Sequence, residues 1–140
     1  MVLTGSNLHS GSFKLIYDII SGCGTASVGS VYSSYPQEGL IGFPMTVLEN
    51  ATSSSSPKTF SSNRSMDADI TIPVTCFNKS AKNLDIMTDR MITALEGSIS
   101  ALNISGLHNM KITDGGQGTD IHGKDIFHFK TMNIELGFSR

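Results

Sequence analysis

The chain has 140 residues, the length of one domain, and a chain of that length buries about two-thirds of its unfolded surface without needing a disulfide or metal staple. Its net charge of −2 argues against a dedicated nucleic-acid binder, which needs a basic face for phosphates. A charged fraction of only 16% leaves little repulsion between copies and favours a subunit of something larger.

Residues 1–11 read as an N-terminal arm. Met1 to Ser10 has neither the basic start nor the apolar run of a secretory signal, and no apolar run in the chain approaches the ~20 residues that span a bilayer. Without a signal, the Asn-x-Ser/Thr triplets at Asn50, Asn63, Asn78 and Asn103 read as products of a Ser-rich composition. Ser12 is a candidate N-cap for a first helix. Phe13, Ile16, Tyr17 and Ile20 follow at helical spacing, and Gly22 and Gly24 end the run.

Val28 to Ser34 predicts a weak strand, and Tyr35-Pro36 with Gly39 a loop. Gly42 to Glu49 predicts a better strand, with Phe43, Met45 and Val47 on one face. Pro44 lacks an N–H, which places it at an edge or a strand start. Asn50 to Met66 holds seven serines and few large apolar residues. It cannot bury enough surface to offset the entropy of ordering it, and it is expected to be a long loop or a projecting hairpin. Loops of that length in a compact domain are usually functional. Phe60, Arg64 and Met66 are its sizeable side chains, and aromatic, Arg and Met side chains carry much of an interface. They are the candidate partner contacts.

Asp67 to Phe77 alternates clearly: Ala68, Ile70, Ile72, Val74 and Cys76 on one side, Asp69, Thr71, Pro73 and Thr75 on the other. Ser80 to Leu102 predicts the main helix. Ser80 or Asn83 caps it, and Leu84, Met87, Met91, Ala94, Leu95, Ser98 and Leu102 form the core-facing stripe. Gly97 marks fraying or a break. Leu107 to Thr113 predicts a short strand, Asp114 to Gly123 a Gly-rich turn, and Asp125 to Phe138 a long last strand. In that strand Phe127 and Phe129 take one phase, and Met132, Ile134, Leu136 and Phe138 take the other. Either a β-bulge near Lys130 or Thr131 or a strand covered on both faces accounts for the switch. The expected fold class is α+β: a mostly antiparallel or mixed sheet with two helices packed on one face.

No catalytic group assembles from this order. Gly115-Gly116-Gln117-Gly118-Thr119-Asp120 resembles one calcium-binding nonapeptide, but such sites form only in stacked repeats and one copy is present. His122 and His128 with Asp120 and Asp125 match no standard metal spacing, and Asp67 with Asp69 reads as a solvated strand end. Cys23 and Cys76 read as buried thiols, and a thiol on the apolar face of a strand is inert. No G-x-S-x-G elbow is present. The expectation is therefore no enzyme, no cofactor and no metal.

In order and texture the chain resembles the tail terminator, or tail completion, proteins of long-tailed phages. The resemblance is carried by the helix Phe13 to Ile20, the Tyr35-Pro36 segment and the strand Phe43-Pro44-Met45-Thr46-Val47. It continues through the Ser-rich loop, the strand Asp69-Ile70-Thr71-Ile72-Pro73-Val74, the helix Leu84 to Leu95 and the long last strand. It implies a virion protein, made in the host cytoplasm and assembled as a homo-oligomeric ring, a hexamer in that family. Such a ring caps the tail tube and joins it to the head. The partners implied are other copies of the chain, the tail tube protein and a head-completion or neck protein, with no membrane and with DNA only passing through the lumen. The rival expectations are a head-closure or neck adaptor protein and, in another class, a small oligomeric enzyme with a site between subunits.

Overall fold

The computed structural model describes residues 3, 7–24, 28–34, 42–55 and 67–139, and at 54, 55, 67, 122 and 139 the backbone alone. Among these residues the order is α1 (Leu8–Ser21), β1 (Ser30–Tyr32), β2 (Met45–Leu48), β3 (Thr52–Ser55), β4 (Asp67–Asn78), α2 (Ala81–Gly97), α3 (Ile99–Ile104), β5 (Leu107–His122) and β6 (Asp125–Ser139). The sheet runs β1-β2-β4-β6-β5, with β3 also paired to β4. It is mixed, because β1 pairs parallel to β2 while the other ladders are antiparallel. The fold is α+β, as the residue pattern predicts.

The first helix begins earlier than its pattern indicates. Leu8, Ser12, Ile16 and Ile20 are all buried, a stripe at steps of four. Ser12 therefore sits inside the helix on its core face and caps nothing, and residues 8–11 belong to α1 and not to an arm. Its Oγ is buried without a hydrogen-bond partner among the described residues. The Tyr17 hydroxyl donates to the Val31 carbonyl at 3.1 Å and ties α1 to β1.

In the main helix Ser80 is the cap, its Oγ accepting from the Asn83 N–H at 3.3 Å. Leu84, Met87, Thr88, Met91 and Leu95 form the buried face. The helix breaks where the weak helix formers lie: Ser98 takes φ −104° and ψ 8°, and α3 resumes at Ile99 and buries Leu102. One hydrophobic cluster joins Ile16 and Ile20 of α1, the stripe of α2 and Leu102 of α3. These pack on Ala68, Ile70, Ile72, Val74 and Cys76 of β4 and on Met132, Ile134, Leu136 and Phe138 of β6. All three helices thus cover one face of the sheet.

For the strands, two open expectations are decided between their alternatives and one is corrected. The Ser-rich segment follows the hairpin alternative where it is described: Thr52 to Ser55 pairs with Thr71 to Ala68 as β3, antiparallel to β4. A polar strand is stable there because β4 supplies the ladder and is itself anchored on both sides. The Gly-rich turn is not a turn. β5 continues through Asp114 to His122, paired to β6 throughout, and the chain reverses at Gly123 and Lys124. Lastly, β6 has no bulge near Lys130 or Thr131, since its register with β4 is unbroken. The extra residue lies across the ladder, at Gly115 between Asp114↔Met132 and Gly116↔Thr131. The switch in β6 is the other expected case, a strand buried on opposite faces along its length. Tyr35, Pro36 and Gly39 lie outside the described residues.

The entry to β2 is tightly fitted. Gly29 has φ 72°, and a Cβ there would meet the Pro44 carbonyl oxygen at 2.2 Å. Beside it the buried Thr46 hydroxyl donates to the Val28 carbonyl at 2.8 Å. Gly29→Ala therefore combines a left-handed backbone cost of about 1–2 kcal/mol with a backbone clash. It is expected to lower stability by at least that much in urea unfolding, whereas an unchanged midpoint would mean that Gly29 and Pro44 do not approach this closely. Leu95 is fully buried, and Leu95→Ala is expected to cost about 2–5 kcal/mol. A loss below about 1 kcal/mol would put the buried face of α2 elsewhere.

Candidate functional site

The face of the sheet away from the helices carries a second, aromatic cluster. Strand alternation sends the odd-numbered residues of β4 and β6 to this side. Phe77 pairs with Met45 on β2 and with Phe129 on β6, so the three side chains lie across neighbouring strands. Met45, Val47 and Phe77 are buried, with Tyr32, Phe43, Phe127 and Phe129 packed around them. The Phe43 and Phe127 rings stack with centroids 4.8 Å apart, and Phe77 meets Phe127 edge-on at 5.7 Å. Gly118 lies under this cluster, where a Cβ would come 2.9 Å from the far end of the Phe129 ring. A side chain at 118 would therefore require the Phe129 ring to move. Towards the other end the same face is polar: Thr75 and Thr131 share a hydrogen bond at 3.0 Å, and Asn133 and Glu135 follow on β6.

On the helix side, the first turns of α2 and the β5–β6 ladder enclose an open cleft of about 290 Å³. Asp85 and Lys130 meet across it at 3.1 Å, and Lys79 pairs with Asp125 at 3.4 Å. Asp85, Lys79 and Asp125 are more than half exposed, so each pair contributes at most about 1 kcal/mol. The pairs fasten the hairpin to the start of α2. Asp85, His128 and Lys130 are the titratable side chains lining the cleft.

The structure separates the residues that a metal reading would combine. By strand alternation Asp120 and Asp125 fall on one face of the hairpin and His128 on the other, while the His122 side chain is outside the described set. Among the described residues no three His, Cys, Asp or Glu side chains are placed to hold an ion. Phe60, Arg64 and Met66 lie outside the described residues. What the structure adds to that candidate contact is its base, the two paired arms β3 and β4.

Sequence reasoning missed the hairpin tip. Ile121 and Ile126 are direct cross-strand partners and are 66% and 60% exposed. The available signal was a period-two pattern running through the glycines into Asp120-Ile121-His122, which glycine's usual meaning as a turn residue outweighed.

No family model matches the chain, and no curated protein matches it. Among solved structures, a chain in the virion of a native gene transfer agent (GTA) particle is similar over 81% of this chain and 83% of its own, with a TM-score of 0.50 and 13% sequence identity. At that identity the likeness is one of fold.

The thiols provide a direct check on the packing. Cys76 is fully buried beside the Thr46 hydroxyl, 3.9 Å from its Sγ. Burial pushes its pKa up to about 11, and burial also raises that of the partly exposed Cys23. Only the thiolate reacts, so at pH 7.5 the native protein should lose Cys23 to a maleimide first, with Cys76 labelled only after unfolding. Equal rates for the two in the native state would show that the sheet opens at Cys76.

Proposed function

We propose that this chain is a structural virion protein, a ring subunit of the tail terminator type that closes a tail tube and joins it to the head. One observation carries the reading: the likeness of fold extends over four-fifths of both this chain and a chain of a phage-like particle, the gene transfer agent virion.

Two features of the molecule agree with it. The sheet has apolar clusters on both faces, one under the helices and one with no helix over it among the described residues, an arrangement suited to a subunit with neighbours. The charged fraction of 16% adds little repulsion to association. In this reading the chain carries out no reaction and takes no cofactor or metal. Its partners are other copies of itself, the tail tube protein and a head-completion or neck protein.

Light scattering or sedimentation of the purified protein tests the ring, with a hexamer as the expected species at high concentration. Imaging of particles containing the chain tests its place, expected between tail tube and head. A chain that is monomeric both in solution and in the particle would overturn the reading, and a ring found only on the head side would replace it by a neck adaptor.

A further inference from the structure

Of the aspartates in the chain, Asp114 is the one followed by a glycine. Asp18, Asp69, Asp85, Asp120 and Asp125 are each followed by isoleucine, Asp67 by Ala68 and Asp89 by Arg90. The main-chain nitrogen of a following residue can attack an aspartyl carboxyl, and the side chain on that residue obstructs the approach. A β-branched isoleucine crowds it, whereas glycine has no Cβ to interfere.

The fold leaves Asp114 open to this reaction. Asp114 and Gly115 are both exposed. Gly115 is the extra residue of the bulge: Asp114 pairs with Met132 and Gly116 with Thr131, so Gly115 has no partner in the register. A bulge disrupts the ladder locally, and β5 is the outermost strand, with no strand on its other side among the described residues. Gly116 follows with φ 138°, so two consecutive residues without a Cβ let the main chain turn its nitrogen toward the carboxyl. Asp120 is the contrasting case. Its Oδ1 accepts from the Ile121 N–H at 2.8 Å, which directs the hydrogen, and not the electron pair of the nitrogen, at the carboxylate. The branched Cβ of Ile121 also shields that nitrogen.

We propose that Asp114 is a site of spontaneous isoaspartyl modification in the folded protein. The Gly115 nitrogen bonds to Cγ of Asp114, its proton leaves with the carboxyl oxygen as water, and a succinimide ring closes. Water then adds at one of the two ring carbonyls. Addition at Cγ restores aspartate. Addition at the main-chain carbonyl breaks its bond to the nitrogen, and the chain then continues through Cγ, with a free α-carboxylate. One water leaves and one returns, so no oxidant or other co-reactant is needed. The product's main chain is one carbon longer, at the point where the ladder already accommodates an extra residue. The reaction requires no partner and is independent of the assembly proposed above.

The test compares the purified chain kept folded at neutral pH and body temperature with the same chain unfolded in urea. Both are sampled over weeks, digested and analysed by chromatography with mass spectrometry. The folded chain is expected to accumulate a peptide spanning residue 114 with unchanged mass and altered retention, resistant to a protease that cuts before aspartate. This peptide should appear ahead of an isomer at any other aspartate. Asp114→Glu should lose it, because glutamate must close a larger ring, and Gly115→Ala should lose most of it. Circular dichroism checks both folds. Ala at 115 would place its Cβ 3.2 Å from Cγ2 of Thr131, so the exposed Asp114→Glu carries the comparison if that variant does not fold. Conversion at Asp114 in urea but not in the folded chain would mean that β5 protects the site, and the proposal fails. It fails equally if neither form converts there, or if the folded chain converts first at another aspartate.

Discussion

Twelve consecutive residue pairs between β4 and β6 hold one register, from Asp67 opposite Ser139 to Asn78 opposite His128, and the rest of the molecule is arranged on that ladder. Because strand side chains alternate, this single register decides what every residue of both strands touches. Ala68, Ile70, Ile72, Val74 and Cys76 lie beside Phe138, Leu136, Ile134, Met132 and Lys130, and these, Lys130 apart, form the floor on which α1, α2 and α3 pack. A slip of one residue would turn that floor outward and bring Asp69, Thr71, Asn133 and Glu135 under the helices. Desolvating those groups without partners costs more than the helices could return. The same register places Phe77 beside Phe129 on the far face, so both cores are set together.

The outer strands adapt to this ladder and do not set it. β2 and β3 line the same flank of β4 end to end, the first against Phe77 to Val74 and the second against Thr71 to Ala68. The Glu49 N–H reaches the Pro73 carbonyl at 2.9 Å where they meet. On the other flank β5 follows β6 with two irregularities. One lies between His108 and Lys111, where Asn109 takes φ 56°, and the other lies at Gly115. Each adds a residue and increases the local twist. Beyond the second, Gly118 sits flat beneath Phe129, so the aromatic ring covers the surface that the strand lacks. The hairpin therefore reaches its tip as an ordered ladder, held to the start of α2 by Lys79–Asp125 and Lys130–Asp85.

What could be read from the sequence was what periodicity encodes. The alternation of β4, the stripe of α2 and the break after Gly97 all reflect burial on one side of a regular element, and they are found where the pattern puts them. Composition misled where a neighbour overrides it. Serines 53–55 look unstructured until β4 offers them a ladder. Gly115, Gly116 and Gly118 look like a turn until β6 is seen to pair along them, with Gly118 close against the Phe129 ring. Ser12 looks like a cap because caps are where serine is stabilising, yet it lies in the core stripe of α1, where its hydroxyl finds no partner among the described residues. The phase change in β6 was visible, but its cause was not. A strand with two cores and a strand with a bulge have the same one-dimensional pattern, and only pairing distinguishes them.

The functional reading follows from what the ladder leaves unused. Among the described residues the ion pairs are Lys14–Asp18, Lys79–Asp125 and Lys130–Asp85, and the buried Cys76 thiol is held far from ionisation at neutral pH. Apolar surface is left exposed at the hairpin tip, at Ile121 and Ile126, whereas Met45, Val47 and Phe77 of the aromatic cluster are already buried within the chain. Hydrophobic surface that is costly in isolation becomes favourable once it is shared. In the proposed assembly, the low charge keeps repulsion between copies small, and the exposed isoleucines of the hairpin tip are apolar surface for a neighbour to cover.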